Sequence, residues 1–533
     1  MKRLHCVLAL PALLCLAVAG YGVIPAHHAA NGGSGGGTST PKASPDPFTG
    51  FDAFVEKARL DWKVPGLAIA VVKDGKVILA KGYGSRDVAS NLPVTPDTRF
   101  GIGSASKSFT VAVLGTLVGE GKLDWDKPVR EYIPEFRLFD DYASDHITAR
   151  DMVTHRSGLP GHDAAWYNGD FSRAEMVRRM RYLEPSKGLG ESFQYNNMML
   201  LAAGHLGERV SNTTWEDSVR KKIFNPLGMS NSDFLIPGRD RGPDFSKPYQ
   251  EDDEGKVQEI AFPDLTLIGP AGSIYSSAND MAKYVQMYLA KGKWNGEQVL
   301  PEAAVAQMES PQMITGLPLL FPEVGHTDYG MGFRITPYRG HKLVHHAGAV
   351  DGFTGFVTFM PQDNLGVVVF TNLTTSYLPY AIAYNIYDRL LGVAPADWSG
   401  RMHERARLAQ AARLDSAKKE RASQKAGTHP SHPLDAYAGE YQNPGYGVIK
   451  IQRSGDDLTL AFHGTTWPLR HFHYDVFEIP DRLIDEREAS LVGSQFMFHT
   501  NWEGEIDSVS SQLEPKVKDI VFTRVDGTHP SAR

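Results

Sequence analysis

The sequence predicts an α+β protein of two units: an antiparallel sheet built from both termini of the first unit with a helical region packed on it, then a small antiparallel β-barrel or sandwich. Three observations carry this expectation. Apolar strand patterns at 67–72 and 77–80 open the first unit, those at 342–346, 353–360 and 365–372 close it, and the stretch between them is helical. A run of Arg, Lys, Glu and Ala from 397 to 427 reads as a solvated helical spacer. Beyond it, short alternating segments at 448–451, 458–462, 476–479, 495–499 and 520–525 are punctuated by turn residues, as in a small all-β unit.

Taken in order, the chain divides at 19, 47, 393 and 432. Lys2 and Arg3, an apolar run over 4–18 and the small residues Ala17-Val18-Ala19 read as a signal peptide over 1–19, which implies a periplasmic or secreted protein, membrane-anchored if uncleaved. Leu13-Leu14 before Cys15 lacks the small residue that a lipid-modification site wants. No later stretch is long and apolar enough to span a bilayer, so no stable membrane insertion is expected after cleavage. Residues 20–47 are rich in Gly, Ser, Thr and Pro and cannot fill a core. The first folded unit then covers 48–393, the charged helical linker 394–432 and the all-β unit 433–533.

Within the first unit, a short helix begins at Phe51, and Asp74-Gly75 between two apolar runs marks a two-residue hairpin. Further helices are expected over 147–155, 176–183, 198–210 and 380–391, and Ser277 caps another that runs to about Leu289. Pro361-Gln362-Asp363-Asn364 is the turn between the last two strands.

Composition narrows the function. At 533 residues with 42% hydrophobic content, the chain can bury more than one core. Its net charge of -7 offers no basic footprint, which excludes nucleic acid as a partner. Both cysteines, Cys6 and Cys15, lie in the signal region, so the mature chain holds neither thiol nor disulfide. His471 and His473 share a strand but no third metal ligand accompanies them, and no cofactor motif is present: Gly101-x-Gly103 is not followed by Gly-Lys-Ser.

One stretch carries chemistry. Small residues stop at Ser104 in Phe100-Gly101-Ile102-Gly103-Ser104-Ala105-Ser106-Lys107, and apolar residues then recur at helical spacing until Gly119 and Gly121. A helix starting at the serine puts the Lys107 amine one turn above the Ser104 hydroxyl. Burial of that amine favours its neutral form, which can take a proton from its neighbour, and the Ser104 N–H is free at a helix start to meet an oxyanion. Ser-x-x-Lys also occurs by chance at Ser39, Ser218 and Ser416, so setting is what singles out Ser104. Two later motifs follow in order: Tyr195-Asn196-Asn197 before an apolar helix, and His346-Ala347-Gly348 on a strand. A Gly-x-Ser-x-Gly elbow is absent around Ser104, against an α/β-hydrolase.

On these motifs the sequence resembles the serine beta-lactamases and penicillin-recognising hydrolases of the S12 peptidase type: class C beta-lactamases, DD-peptidases, D-aminopeptidases and related esterases. The likeness runs from Phe51 to Gly392 and includes Thr154-His155-Arg156-Ser157-Gly158-Leu159 and Pro226-Leu227-Gly228-Met229. Pro433-Leu434-Asp435-Ala436-Tyr437 opens what looks like the small β domain often appended to such hydrolases. The resemblance implies a beta-lactamase-like fold and an acyl-enzyme on Ser104, with Lys107 and Tyr195 moving protons. It further implies that Asn197 holds Lys107 and the substrate amide, that Gly348 admits a substrate backbone, and that the Ala349 N–H is the second oxyanion donor. No cofactor or metal is implied, and the partner is a small-molecule or peptide substrate. His155 is expected to be structural, at a helix end.

The chain departs from the lactamase pattern where Lys-Thr-Gly and a following hydroxyl residue are usual: it has His346-Ala347-Gly348-Ala349. Two hydroxyls that would grip a substrate carboxylate are absent, each charge-assisted bond being worth about 1.5–3 kcal/mol. His346 would supply a cation at acid pH only. An amide or ester, such as a D-residue peptide, is therefore favoured over a beta-lactam; an idle penicillin-binding or cell-wall interaction protein is the alternative from another class.

Overall fold

The computed structural model describes residues 46–525 apart from 236–241, 253, 375 and 481–490. The expected signal peptide and all but the end of the Gly/Ser/Pro-rich linker lie outside the described residues. In the first unit, α1 (Phe51–Asp61) leads into β1 (Gly66–Lys73) and β2 (Lys76–Asp87), the hairpin read from Asp74-Gly75. The principal helices of the middle are α2 (Ser106–Gly119), α3 (Asn197–Ser211) and α4 (Ala278–Leu289). The chain then returns through β3 (Arg334–Tyr338), β4 (His341–Val350), β5 (Phe353–Met360) and β6 (Leu365–Thr371) to α5 (Leu378–Leu390).

The two ends do share one antiparallel sheet. Its central order is β3-β4-β5-β6-β1-β2, extended at both edges by short strands to nine in all. β1 pairs with β6 in the register Leu67↔Thr371 to Lys73↔Leu365, which joins the first strand to the last. Successive β1 side chains enter opposite cores: Ala68, Ala70 and Val72 meet the cluster around Phe109 and Leu114, while Leu67, Ile69 and Val71 meet Phe51, Ile382 and Tyr387. Helices cover both faces, so β1 carries a continuous apolar run rather than an alternation. Each Val, Leu or Ile so buried contributes about 1.5–3 kcal/mol.

Helix α2 is the spine of the larger core. Every residue from Ser106 to Leu117 is buried, so the helix is enclosed on all sides rather than along one stripe. Its start differs from expectation: Gly103–Ala105 forms a 3₁₀ turn and the α-helix begins at Ser106. The tighter turn carries Ser104 in the approach to the helix, and the Ser106 hydroxyl accepts the Ile274 N–H at 3.1 Å. Asn196 caps α3 by accepting from Met199 N at 2.8 Å, and Ser277 caps α4 as its sequence suggests.

The charged helix exists as α6 (Trp398–Ala422) but is not a spacer throughout. Its first turn is docked: Trp398 and Met402 are buried in the core behind the sheet, and the Trp398 indole donates to Asp388 at 2.8 Å. Packing of the first unit thus runs past 393, because one tryptophan outweighs the charge around it. Of the two all-β alternatives the chain adopts a closed barrel of eight strands, each paired with the next and Gly439–Asn443 closing on Ile520–Arg524. Strands at Gly439–Asn443, Thr465–His473 and Ile506–Ser511 complete the pattern read from sequence. Tyr441, Ile449, Leu460, Phe498, Val509 and Phe522 are among the side chains that fill its interior. No helix among the described residues is long and apolar enough to cross a membrane.

Candidate active site

Ser104 and Lys107 meet as their spacing requires. Lys107 is fully buried, and its Nζ lies 2.8 Å from Ser104 Oγ, 2.7 Å from Asn197 Oδ1 and 3.0 Å from the Ala271 carbonyl. An amide oxygen and a carbonyl oxygen can only accept, so two Lys107 N–H bonds are committed to them. The remaining tetrahedral direction faces Ser104: it carries a proton when the amine is charged and a lone pair when it is neutral. That geometry fits a base for the serine hydroxyl.

Tyr195, on the segment that leads into α3, sets its ring beside Lys107. The Lys107 ammonium lies 4.8 Å from the centre of its ring. His155 packs on the other side of the ring with centroids 4.4 Å apart. Asn197, the first residue of α3, turns its oxygen to Lys107 and its Nδ2 to Asp163 at 3.4 Å. Asp163 also accepts the Trp166 indole at 2.8 Å, and burial pushes its carboxyl up to about 6. Neither Asp163 nor the Ala271 carbonyl is legible in sequence, since the first stands in no motif and a carbonyl belongs to every residue type.

The third motif brings backbone rather than side chain. A Cβ built on Gly348 would lie 1.8 Å from the Ile102 carbonyl oxygen and 3.0 Å from Ser104 N. Gly103, at φ +50, faces β4 from the other side: its Cβ would lie 2.6 Å from the Ala349 carbonyl oxygen. The strand and the serine turn therefore touch backbone to backbone, which only glycine at both points permits. Ser104, Gly348 and Ala349 all line one cleft.

His346 does not join them as a cation. It is buried, and desolvation together with the nearby Lys107 and Arg334 charges holds it well below the usual imidazole range. The expectation of a cationic His346 at acid pH is thus corrected, because its ring turns into the protein while Ala347, Gly348 and Ala349 face the cleft. Instead it ends a directed chain of hydrogen bonds. The Asn196 N–H donates to His155 Nδ1 at 3.1 Å, which leaves the His155 proton on Nε2, 3.2 Å from the Tyr329 hydroxyl. Tyr329 in turn donates to His346 Nε2 at 3.1 Å, and His346 Nδ1–H donates to the Ala347 carbonyl at 2.5 Å. Every atom in the series has one consistent role when both rings are neutral. His155 is structural, as expected, and its burial likewise holds it well below the usual range. Arg334 adds a buried cation among these rings, with Cζ 5.9 Å from the Tyr195 centroid; the strand pattern of its region gave no cue to it.

The cleft is mostly apolar, with Trp166, Leu265, Ile268, Val350, Tyr377 and Tyr380 on its walls. Among the described residues Asp351 is the one charged side chain of the lining, and it accepts the Tyr167 hydroxyl. Besides Ser104 and three tyrosines, the hydroxyl residues Thr354, Thr374 and Ser376 line the cleft, each bonded to backbone. Thr354 donates to the Leu373 carbonyl at 2.8 Å, Thr374 accepts from Gly352 N at 2.7 Å, and Ser376 accepts from Leu378 N at 3.3 Å. Groups of three or more metal-ligating side chains do not occur among the described residues; His471 and His473 stand on a strand with a bulge between them.

Residues 51–387 match the beta-lactamase family model, and residues 423–524 match a domain of unknown function, DUF3471. The chain is similar to unguisins hydrolase ungD' of Aspergillus campestris, 30% identical over 431 residues that cover 76% of this chain and 78% of that protein. It is 25% identical over 338 residues to protein flp of Staphylococcus aureus, across 63% of this chain and 65% of the other. Among solved structures, the octameric penicillin-binding protein homologue from Pyrococcus abyssi superposes with a TM-score of 0.60 at 28% identity, covering 89% of this chain and 99% of that one. A D-stereospecific amidohydrolase from Streptomyces shares the fold at 20% identity, with a TM-score of 0.52 over 64% of this chain and 98% of that one. Since the family match takes in well over half of the sequence and both of its flanking sheet segments, the chain belongs to the beta-lactamase family, as a serine hydrolase with a barrel appended.

Proposed function

We propose that the protein hydrolyses an uncharged or cationic amide or ester, such as a D-residue peptide or a small ester or amide, through an acyl-enzyme on Ser104. The observation that carries this is the Lys107 amine, bound on two sides by acceptors and 2.8 Å from Ser104 Oγ on the third. In this mechanism neutral Lys107 takes the hydroxyl proton as Ser104 attacks the carbonyl carbon, and the N–H groups of Ser104 and Ala349 hold the oxyanion. Tyr195 returns a proton to the leaving group and then serves as base for the water that breaks the ester. Asn197 orients Lys107 and the substrate amide.

Charge supports the choice of substrate. A beta-lactam or a peptide with a free terminal carboxylate would meet Asp351 in the lining, where no described residue is cationic, and the Thr354 and Thr374 hydroxyls already donate to the Leu373 and Tyr249 carbonyls. The similarity to unguisins hydrolase ungD' supports a hydrolytic activity. Export belongs to the same proposal and is supported by the signal-like residues 1–19.

The test compares p-nitrophenyl acetate, D-alanyl-p-nitroanilide and nitrocefin on the purified chain, with fluorophosphonate labelling of Ser104. Expected is turnover of the ester or the D-amide at least about 100-fold above nitrocefin in kcat/KM, lost in Ser104→Ala. Nitrocefin as the best substrate would overturn the substrate class, and an unlabelled Ser104 would overturn the mechanism. Asp351→Asn should raise kcat/KM on nitrocefin about 5–30-fold, the effect of removing one like charge at intermediate dielectric, and leave p-nitrophenyl acetate little changed.

A further inference from the structure

We propose that the C-terminal barrel is a positioning element for the active site: it grips the segment 157–168, which supplies one wall of the cleft and the partner of Asn197. This rests on the proposed acyl-enzyme reading for its catalytic consequence, though not for the grip itself. The segment gives Trp166 and Tyr167 to the cleft and sets Asp163 3.4 Å from Asn197 Nδ2. Its own conformation is strained, since His162 has φ 44 without being glycine.

Three barrel residues hold it, at His162 in its middle and at Tyr167 near its end. Glu514, 7% exposed on the connection between the last two strands, accepts the His162 N–H at 2.9 Å. The buried Tyr446 hydroxyl bonds His162 Nδ1 at 2.7 Å, while His162 Nε2 donates to the Glu184 carbonyl at 2.9 Å. His463 stands between the Tyr167 carbonyl at 2.9 Å and the Tyr446 carbonyl at 3.1 Å. The contact is therefore to backbone on either side of Asp163 and Trp166, and to the ring of the strained residue. A continuous path follows: Glu514 to His162, then its chain neighbour Asp163, then Asn197, Lys107 and Ser104. Without the barrel, the His162 N–H and ring nitrogen would lose the partners that make its left-handed conformation tolerable.

Full-length Glu514→Ala, Glu514→Gln and Val509→Ala test this. Val509 is buried in the barrel interior and makes none of the hydrogen bonds to the segment, so Val509→Ala reports barrel instability without removing a bond of the grip. Expected for Glu514→Ala is at least a tenfold fall in kcat/KM on p-nitrophenyl acetate, carried mainly by KM. Amide hydrogen exchange in the peptide spanning 157–168 should be at least tenfold faster. Glu514→Gln keeps an acceptor for His162 N–H and should return both measures to within about threefold of the parent. Val509→Ala should lower Tm and leave kcat/KM within twofold. Unchanged exchange and kcat/KM in Glu514→Ala, or equal losses in Val509→Ala, would overturn the proposal. A parent chain whose Ser104 resists fluorophosphonate would instead overturn the proposed function, and the exchange measurement would still decide the grip.

Discussion

Gly348→Ala should inactivate the protein without unfolding it. A Cβ there would lie 1.8 Å from the Ile102 carbonyl oxygen, whereas a carbon and an oxygen settle at about 3.3 Å or more. One of the two backbones must then retreat by about 1.5 Å. The strand is paired with β3 over 341–345 and with β5 through Gly348 itself, where Gly348 faces Gly355, so the serine turn is the part that yields. Ser104 N lies only 3.0 Å from the added carbon and moves with it, which takes an oxyanion donor away from its opposite number on β4. A displacement of about 1 Å costs about 100-fold in rate, and removal of one such donor about 100–1000-fold. We expect kcat on p-nitrophenyl acetate to fall about 100-fold or more, with KM changed little and far-ultraviolet circular dichroism unchanged. Fluorophosphonate labelling of Ser104 should slow in parallel. A variant that labels and turns over at the parental rate would refute the backbone contact as the device that forms the oxyanion site.

Three further outcomes follow from the geometry. Lys107→Met keeps the volume of the buried side chain but removes the base, so kcat should fall about 100–10,000-fold while denaturant midpoints shift modestly; near-parental turnover would reassign the base. Tyr329→Phe leaves the buried His155 Nε2–H and His346 Nε2 without their partner, which should destabilise the first unit by about 2–4 kcal/mol in urea titration; a change under about 0.5 kcal/mol would show that the chain of bonds carries no weight. Burial pushes Glu309 up to about 7 from 4.5, so its proton is bound more tightly in the folded state. Stability from this group is complete below pH 4.5 and declines as pH rises to about 7. Glu309→Gln should therefore stabilise the protein by about 2–3 kcal/mol at pH 8 and flatten that slope, as followed by Tm against pH.

Some of the site was readable because its information is local. Ser104 and Lys107 sit one helical turn apart, and that spacing survives the 3₁₀ start that sequence periodicity did not show. Gly348 was expected, from the resemblance, to admit a substrate backbone; what the structure sets against it is the chain's own Ile102 carbonyl. His346 was misjudged because residue type says what a ring can be, while burial decides what it is. The docking of Trp398 was missed because one aromatic in a charged run alters composition little yet fills a core position.

By itself, then, the sequence determined the local periods and turns: two strands before a buried helix, three strands after a helical middle, and a β unit beyond a charged helix. It also determined the order of three short motifs. Tertiary structure alone decided which acceptors surround Lys107, that His155, Tyr329 and His346 form one directed chain, that Asp351 lines the cleft, and that the barrel closes and grips the segment around His162. The physical reason is distance along the chain. Hydrogen-bond direction, desolvation and backbone contact depend on groups tens to hundreds of residues apart, and no local pattern encodes which of them become neighbours.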